Sequence, residues 1–127
     1  MEPNKFKGET KGILGDKERI FRLTFESIVS IENRTGKSIM SISMDLGLNK
    51  YSMRDMVIVL DEGLKGAGGK FTFASVGDMV MRTGLLDSSK LVAKVLTTIF
   101  TGEKKEDSDS PLVPAENVPE DTQSKTT

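Results

Sequence analysis

Residues 19–37 read RIFRLTFESIVSIENRTGK, and this stretch decides the fold because a strand pattern runs directly into an amphipathic helix. Polar and apolar side chains alternate over its first five residues, although Phe21 breaks the strict period of two, and this pattern is typical of a half-buried strand. Thr24 suits the N-cap of the helix that follows, and Gly36 lies where a C-terminal glycine is favoured. The helical period of the apolar residues between them predicts that Phe25 and Ile28 belong to the core.

The preceding residues indicate that this strand belongs to a β-hairpin. Residues 6–14 form a weaker strand candidate, and 15–18, with the sequence Gly-Asp-Lys-Glu, have the composition of a hairpin connection. An isolated hairpin is only marginally stable in water, so this one must lie on helices or pair with another subunit. We expect residues 1–5 to be frayed.

Two further helices are predicted immediately after this segment. The first covers 38–46 and ends at Gly47, and its apolar residues follow the helical period. The second runs from about 53 to 65, because Ser52 and Asp55 form a start that resembles a capping box.

Glycines and capping residues divide the remaining body into a fourth and a fifth helix. The fourth is predicted over 73–82, with Thr72 as its cap and Gly84 as its stop. Asp87 or Ser88 is expected to cap the fifth helix. The apolar stripe of that helix consists of Val92, Val95, Leu96 and Ile99.

The C-terminal part of the chain has a different composition. Residues 103–127 include seven acidic residues, three lysines and three of the four prolines, and no aromatic residue. Such a segment cannot bury enough apolar surface to offset the entropy of ordering, so we expect it to be disordered. It carries a charge of −4, which leaves the body at +3. The sequence therefore predicts a mainly α fold: a small bundle of about five helices with an N-terminal β-hairpin over 1–102, followed by a disordered acidic tail.

The residue inventory excludes several classes of chemistry. The chain has no cysteine and no histidine, which excludes disulfides, thiol nucleophiles, imidazole bases and the zinc sites built on these residues. Asp61 and Glu62 are adjacent, and their side chains would point about 100° apart on a helix, which suits a solvated face. We therefore expect no enzymatic activity, no metal and no cofactor. No apolar run approaches the length of a membrane span, so we expect no membrane association.

A glycine cluster raises the alternative of a phosphate-binding loop. Gly63, Gly66, Gly68 and Gly69 lie within seven residues and have lysines beside them. A phosphate loop needs a strand before it and a helix N-terminus after it, whereas a helix precedes this cluster. The pattern therefore favours a helix exit followed by a connection.

A DNA-binding alternative comes from the connection between the second and third helices. Residues 45–52, DLGLNKYS, resemble the turn of a helix-turn-helix, including its glycine. The helix that follows is dominated by apolar side chains, and the cations near its start are Lys50 and Arg54. With a pI of about 5.5, the attraction to phosphates would be weak. The sequence therefore disfavours nucleic acid as a partner but leaves a small DNA-binding regulator as an alternative.

The methionines are concentrated in one part of the chain. Methionine fills gaps in small cores, and it is also over-used on surfaces that accept varied apolar partners. Several methionines exposed together would mark a partner-binding surface. The residues of this predicted surface are Met40, Met44, Met53, Met56, Met79 and Met81.

Three short motifs have a recognisable order: RLTF at 22–25, IE at 31–32 and TGKS at 35–38. Together they resemble the opening of a family found in tailed phages and gene transfer agents. The likeness covers about residues 19–69. The later matches are Arg54-Asp55, Leu60 and Glu62-Gly63-Leu64.

Members of that family are labelled either as tail tube proteins or as tail assembly chaperones. The resemblance implies a protein that coats the tape-measure protein, keeps it soluble and helps to recruit the tail tube protein. The predicted helices favour the chaperone, because a tube subunit would need a larger, β-rich ring structure. A structural tail component is the alternative. The resemblance also implies assembly in the cytoplasm of the bacterial host cell, and the sequence leaves homo-oligomer formation open.

Overall fold

The computed structural model describes residues 8–100, which form one β-hairpin and five α-helices. The strands are β1 (Glu9–Leu14) and β2 (Lys17–Arg22). The helices are α1 (Phe25–Thr35), α2 (Ile39–Gly47), α3 (Met53–Gly66), α4 (Phe73–Thr83) and α5 (Leu85–Phe100). This architecture confirms the predicted fold class of a small helical bundle with an N-terminal hairpin. The frayed N-terminus and the disordered tail that the sequence predicts lie outside the described residues.

The hairpin turn is tighter than the sequence predicts. β1 and β2 pair antiparallel, with Leu14 opposite Lys17, so only Gly15 and Asp16 form the turn. Both turn residues have positive φ, 64° and 73°, which is the backbone conformation of a type I′ hairpin turn. Lys17 and Glu18 therefore belong to β2 and not to the connection.

The inner face of the hairpin is buried on the helices. Leu14 and Phe21 are fully buried, and Gly12 lies so close to Leu91 of α5 that a Cβ there would overlap the leucine side chain. β2 contacts α3, while β1 contacts α4 and α5. The sequence predicts that the hairpin either lies on helices or pairs with another subunit, and the structure shows it lying on helices.

α3 is the central helix of the bundle. Each of its residues from Asp55 to Leu64 is buried, and α1, α4, α5 and β2 all pack against it. A recognition helix must instead present a polar face to the edges of the bases. α3 therefore cannot serve as the recognition helix of a helix-turn-helix in this fold.

Capping geometry explains where the helices begin. In α1 to α4, the N-cap side chain accepts a hydrogen bond from the backbone N–H three residues later. Gly36 adopts a left-handed conformation with φ 73° and donates its N–H to the Glu32 carbonyl, which ends α1 as predicted. The four N-caps are Thr24, Ser38, Ser52 and Thr72.

α5 begins earlier than the sequence predicts. Its first residue is Leu85, directly after Gly84, whereas the predicted caps were Asp87 and Ser88. The Ser88 N–H donates to the Gly84 carbonyl at 3.0 Å, so the first turn of the helix already contains both predicted caps. α4 and α5 are therefore joined by a single glycine.

The prediction that Phe25 belongs to the core is wrong, since 78% of this residue is exposed. α1 turns Ser27 and Ile31 toward the core, and both are buried. Phe25 precedes Ser27 by two residues, which places it about 200° away around the helix axis. The helical period of α1 was predicted correctly, but the side of the helix that faces the core is not the side that carries Phe25.

The C-terminal end of α3 lies close against the backbone of β2 at Gly66. A Cβ on Gly66 would overlap the Arg22 carbonyl oxygen and would lie 3.0 Å from Ser27 Oγ. A side chain at this position would therefore push the hairpin and α1 away from α3.

We predict that Gly66→Ala lowers the free energy of unfolding by about 2 kcal/mol, because the added methyl group has no space. Gly77→Ala is the matched control, since Gly77 lies on α4 and a Cβ there would meet no atom within 4 Å. The control should be neutral or stabilising by about 0.5 kcal/mol. Urea denaturation followed by circular dichroism measures both, and equal midpoints would contradict the close approach.

Candidate interaction surface

Within residues 8–100, no group of three or more Asp, Glu, His or Cys side chains could hold a metal ion. No helix in this range is long and apolar enough to cross a membrane. The charged groups that do come together form ion pairs, most of which join α3 or α2 to α1 or to the turn between α1 and α2. The exposed features that stand out are apolar.

Arg34 of α1 binds two buried carboxylates of α3. Its Nη1 lies 2.9 Å from Asp61 Oδ2 and 2.6 Å from Glu62 Oε2. Ser30 donates a further hydrogen bond to Glu62 at 2.7 Å. The predicted solvated face is therefore wrong, since Asp61 is only 1% exposed and Glu62 is also buried. The physical reason is that a cation on the neighbouring helix compensates for the cost of removing both carboxylates from water.

This cluster has a structural role. Burial by itself lowers the pKa of Arg34, but the hydrogen bonds to Glu62 and Asp61 raise it by more, so the net pKa lies above its ordinary value. The guanidinium therefore stays charged, and it also lies over the ring of Phe73 in α4, at 5.5 Å. Arg34 thus connects three helices.

The turn between α1 and α2 is held by the residues that give the sequence its recognisable motifs. The Ile39 N–H donates to the Glu32 carboxylate at 2.9 Å, at the first turn of α2. Lys37 Nζ lies 2.9 Å from Asp55 Oδ2 of α3 and 3.5 Å from Asp45 Oδ2 of α2. The motifs therefore maintain the scaffold rather than form a site.

The six methionines of the predicted surface fall into two groups. Because α3 is central and one face of α4 packs against it, three of them lie in the core or against it: Met53, Met56 and Met79. The other three have more than half of their surface exposed: Met40, Met44 and Met81. In this conformation the six do not share one surface, and partner binding stays a prediction for the exposed three.

Two of the exposed methionines belong to an apolar stripe on α2. Met40 and Met44 are one turn apart on the same face of α2, and exposed Leu48 follows at the C-cap, directly after the helix. We call these three residues the α2 stripe. Sequence analysis missed Leu48, although its spacing of four from Met44 was the available signal. The opposite side of α2 buries Ile42 in the core.

An apolar groove of about 200 Å³ lies between α2 and α5; the stripe residues do not line it, but Ser43 and Gly47, which precede Met44 and Leu48 in the chain, do. Small residues line much of it, so another backbone could approach closely. We call it the α2–α5 groove, and sequence analysis did not identify it because its two walls are distant in sequence. Its lining residues are Ser43, Leu46, Gly47, Ala93, Leu96, Thr97 and Phe100.

A second exposed apolar group surrounds the hairpin turn, where the Gly15 N–H donates to Thr83 Oγ1 at 2.8 Å. This group contains the remaining exposed methionine. Its members are Ile13, Met81, Leu85 and Leu86.

A family model described as "Phage tail tube protein, GTA-gp10" matches residues 7–102. The match covers the hairpin and all five helices described above. Comparison with curated proteins and with solved structures gives no match.

We predict that Arg34→Leu lowers the free energy of unfolding by about 3 kcal/mol, because it leaves buried Glu62 without a cation and leaves Asp61 with only the longer pair to Lys65 Nζ, at 3.4 Å. Arg82→Leu is the matched control, since Arg82 lies 3.9 Å from Asp16 and both side chains are mostly exposed. Loss of that exposed pair should change stability by less than about 0.5 kcal/mol. Urea denaturation of both variants provides the measurement, and a small effect of Arg34→Leu would contradict the role of the cluster.

A second prediction concerns alkaline pH. The hydrogen bond and the charge of Asp55 raise the pKa of Lys37 above its ordinary value of 10.5. A raised pKa means that the ion pair stabilises fully below pH 10.5 and that this stabilisation is lost as pH rises through the higher folded value.

We therefore expect the stability difference between wild type and Lys37→Met to be largest near neutral pH and to shrink above pH 10.5. Lys17→Met is the control, because Lys17 is exposed and has no ion pair within the described residues. Urea midpoints across an alkaline series measure the difference. A stability difference between wild type and Lys37→Met that stays constant across the series would contradict the raised pKa of Lys37.

Proposed function

We propose that this chain, which belongs to the phage tail family described as "Phage tail tube protein, GTA-gp10", acts as a tail assembly chaperone. In this proposal it binds the tape-measure protein, keeps it soluble and helps to recruit tail tube subunits. It acts in the cytoplasm of the bacterial host cell, where tails assemble, and it catalyses no reaction.

The α2 stripe, together with the α2–α5 groove, is the observation that carries the proposal. It combines three exposed large apolar side chains with an adjacent apolar depression. Contiguous apolar surface on a small protein usually marks a site that another molecule covers. Methionine contributes two of the three exposed side chains, and its flexible side chain accommodates partner segments that differ in shape.

The secondary structure also supports a chaperone over a tube subunit. Within residues 8–100 the strands amount to one hairpin, and the inner face of this hairpin is buried on helices. A β-rich ring subunit would need several more strands to continue its sheet from one copy to the next. A helical body with one adaptable apolar face is better suited to bind a partner temporarily.

A structural tail component is the second candidate, and one observation favours it. The outer face of the hairpin exposes Ile13 and Ile20, which lie opposite Glu18 and Lys11 in the register. An exposed apolar face on a two-stranded sheet is a place where a neighbouring subunit could pack. The family description names a tail tube protein, which agrees with this candidate as well.

Co-expression tests the chaperone directly. The full chain should keep the tape-measure protein from the same gene cluster soluble and should co-purify with it, because its exposed apolar surface would cover apolar segments of that protein. An unrelated long coiled-coil protein serves as the control and should not be retained. Failure of the tape-measure protein to co-purify would contradict the proposal.

The composition of finished particles separates the two candidates. A chaperone leaves before completion, so mass spectrometry of purified particles should find the chain absent or far below the tube subunits in amount. A structural component would instead be present in a fixed number of copies per particle. The second result would replace the chaperone proposal by the structural one.

A further inference from the structure

We propose that the α2–α5 groove binds one amphipathic helix of the partner, whose apolar seam is flanked by acidic residues. This inference rests on the proposed chaperone function, and it specifies the kind of segment in the partner that the chaperone recognises. It follows from the shape of the groove and from the charge around it.

The exposed face of α5 has the spacing of a helix-packing seam. Leu86, Lys90, Ala93, Thr97 and Phe100 follow one another at intervals of four, three, four and three residues, so they lie along one side of the helix. The two residues at its centre are small, and they line the groove. This side of α5 is therefore shaped for another helix to lie close to it.

The wall formed by α2 has the same character. Ser43 and Gly47 are one turn apart and both line the groove, while Leu46 contributes an apolar wall. Small residues between larger apolar ones form the depression into which side-chain ridges of a third helix pack. The outer rim on this side is the α2 stripe, which would extend the contact beyond the groove.

The unpaired charges near the groove walls include two lysines. Lys90 lies on the seam of α5, three residues before Ala93, and Lys50 follows the end of α2. Lys94 is instead turned to the hairpin, where its Nζ donates to the Lys11 carbonyl at 2.9 Å. Neither Lys90 nor Lys50 has an ion-pair partner within the described part of the chain. The carboxylate at this end of α2, Asp45, is already paired with Lys37 at 3.5 Å. Acidic residues on both sides of an incoming apolar seam would match these lysines.

The chain's own C-terminal segment, 103–127, is also acidic and follows Phe100 at the groove. Its sequence contains Pro111, Pro114 and Pro119, and proline interrupts a helix by removing a hydrogen bond and clashing with the preceding turn. On sequence grounds, this proline spacing disfavours a continuous helical seam over residues 111–119. Complementarity therefore favours a helix from the partner over this segment.

The first test uses the full chain with the tape-measure protein. Ala93→Glu places a carboxylate in the groove, and Ala74→Glu is the matched control on an exposed position of α4. We expect Ala93→Glu to weaken binding roughly tenfold or more, because the carboxylate is desolvated and repels the acidic flanks, and Ala74→Glu to change it less than about twofold. Equal binding by the two variants would overturn the inference.

A charge reversal tests whether the residues that flank the partner's apolar seam are acidic. Lys90→Glu should weaken the same binding roughly fivefold and should reduce its dependence on salt, since an attraction becomes a repulsion. Lys70→Glu, an exposed lysine that does not line the groove, is its control. An unchanged affinity for Lys90→Glu would overturn the assignment of acidic flanks.

A second probe separates failure of this inference from failure of the proposed function. It is a synthetic helical peptide of about 18 residues, or five turns, with a leucine seam and glutamate flanks, compared with a version that has lysine flanks. The glutamate peptide should shift the amide resonances of Ala93, Thr97, Ser43 and Gly47 in the full chain, and the lysine peptide should bind more weakly. Absence of shifts at the groove would overturn the inference.

The two failures then give different results. If the tape-measure protein does not bind but the peptide shifts the groove resonances, the proposed function fails and the groove assignment stands. If the tape-measure protein binds wild type and Ala93→Glu equally, the function stands and the groove assignment fails.

Two other occupants of the groove would give different experimental results, and either result would overturn the proposal. Occupation by the chain's own tail would make removal of 103–127 shift the groove resonances without any added peptide. Occupation by a second copy would give a dimer in sedimentation that Ala93→Glu dissociates and Ala74→Glu does not.

Discussion

The buried ion pair between α1 and α3 is the interaction on which the rest of the structure depends. Asp61 and Glu62 can occupy the inner side of the central helix because Arg34 brings a charge to both of them and also lies over Phe73 of α4. Ion pairs with directed hydrogen bonds tolerate little displacement, so this contact sets the position of α1 along α3. Lys37 continues the same connection to α2 through its pairs with Asp45 and Asp55.

The scaffold residues leave the functional surface free. The polar residues of the recognisable motifs are occupied in caps and interhelical pairs, while the exposed stripe and groove on α2 and α5 consist of apolar and small residues. A surface held by a rigid framework loses less conformational entropy when a partner binds. The division explains how a chain of this kind could bind an apolar segment through residues that its scaffold does not use.

Sequence reasoning was most accurate for features that depend on local chemistry. The cap side chains of α1, α3 and α4, the glycine that ends α1 and the exit of α3 were predicted correctly, since each depends on hydrogen bonds among residues close in sequence. Two errors concern boundaries, at the hairpin turn and at the start of α5. The others concern which side of a helix is buried. Phe25 was assigned to the core and Asp61 to solvent, because a helical period gives the angle between residues without showing which side meets a neighbour.

The sequence by itself determined the fold class, the helix boundaries to within a few residues and membership of a phage tail family. These properties are encoded in capping residues, glycines and short motifs that act over one or two turns. Only the tertiary structure decided that Asp61 and Glu62 are buried, that three methionines are internal and three exposed, and that a groove lies between α2 and α5. Burial depends on which distant helix supplies the covering side chain or the compensating charge. Helices that are far apart along the chain, such as α2 and α5, meet only after folding.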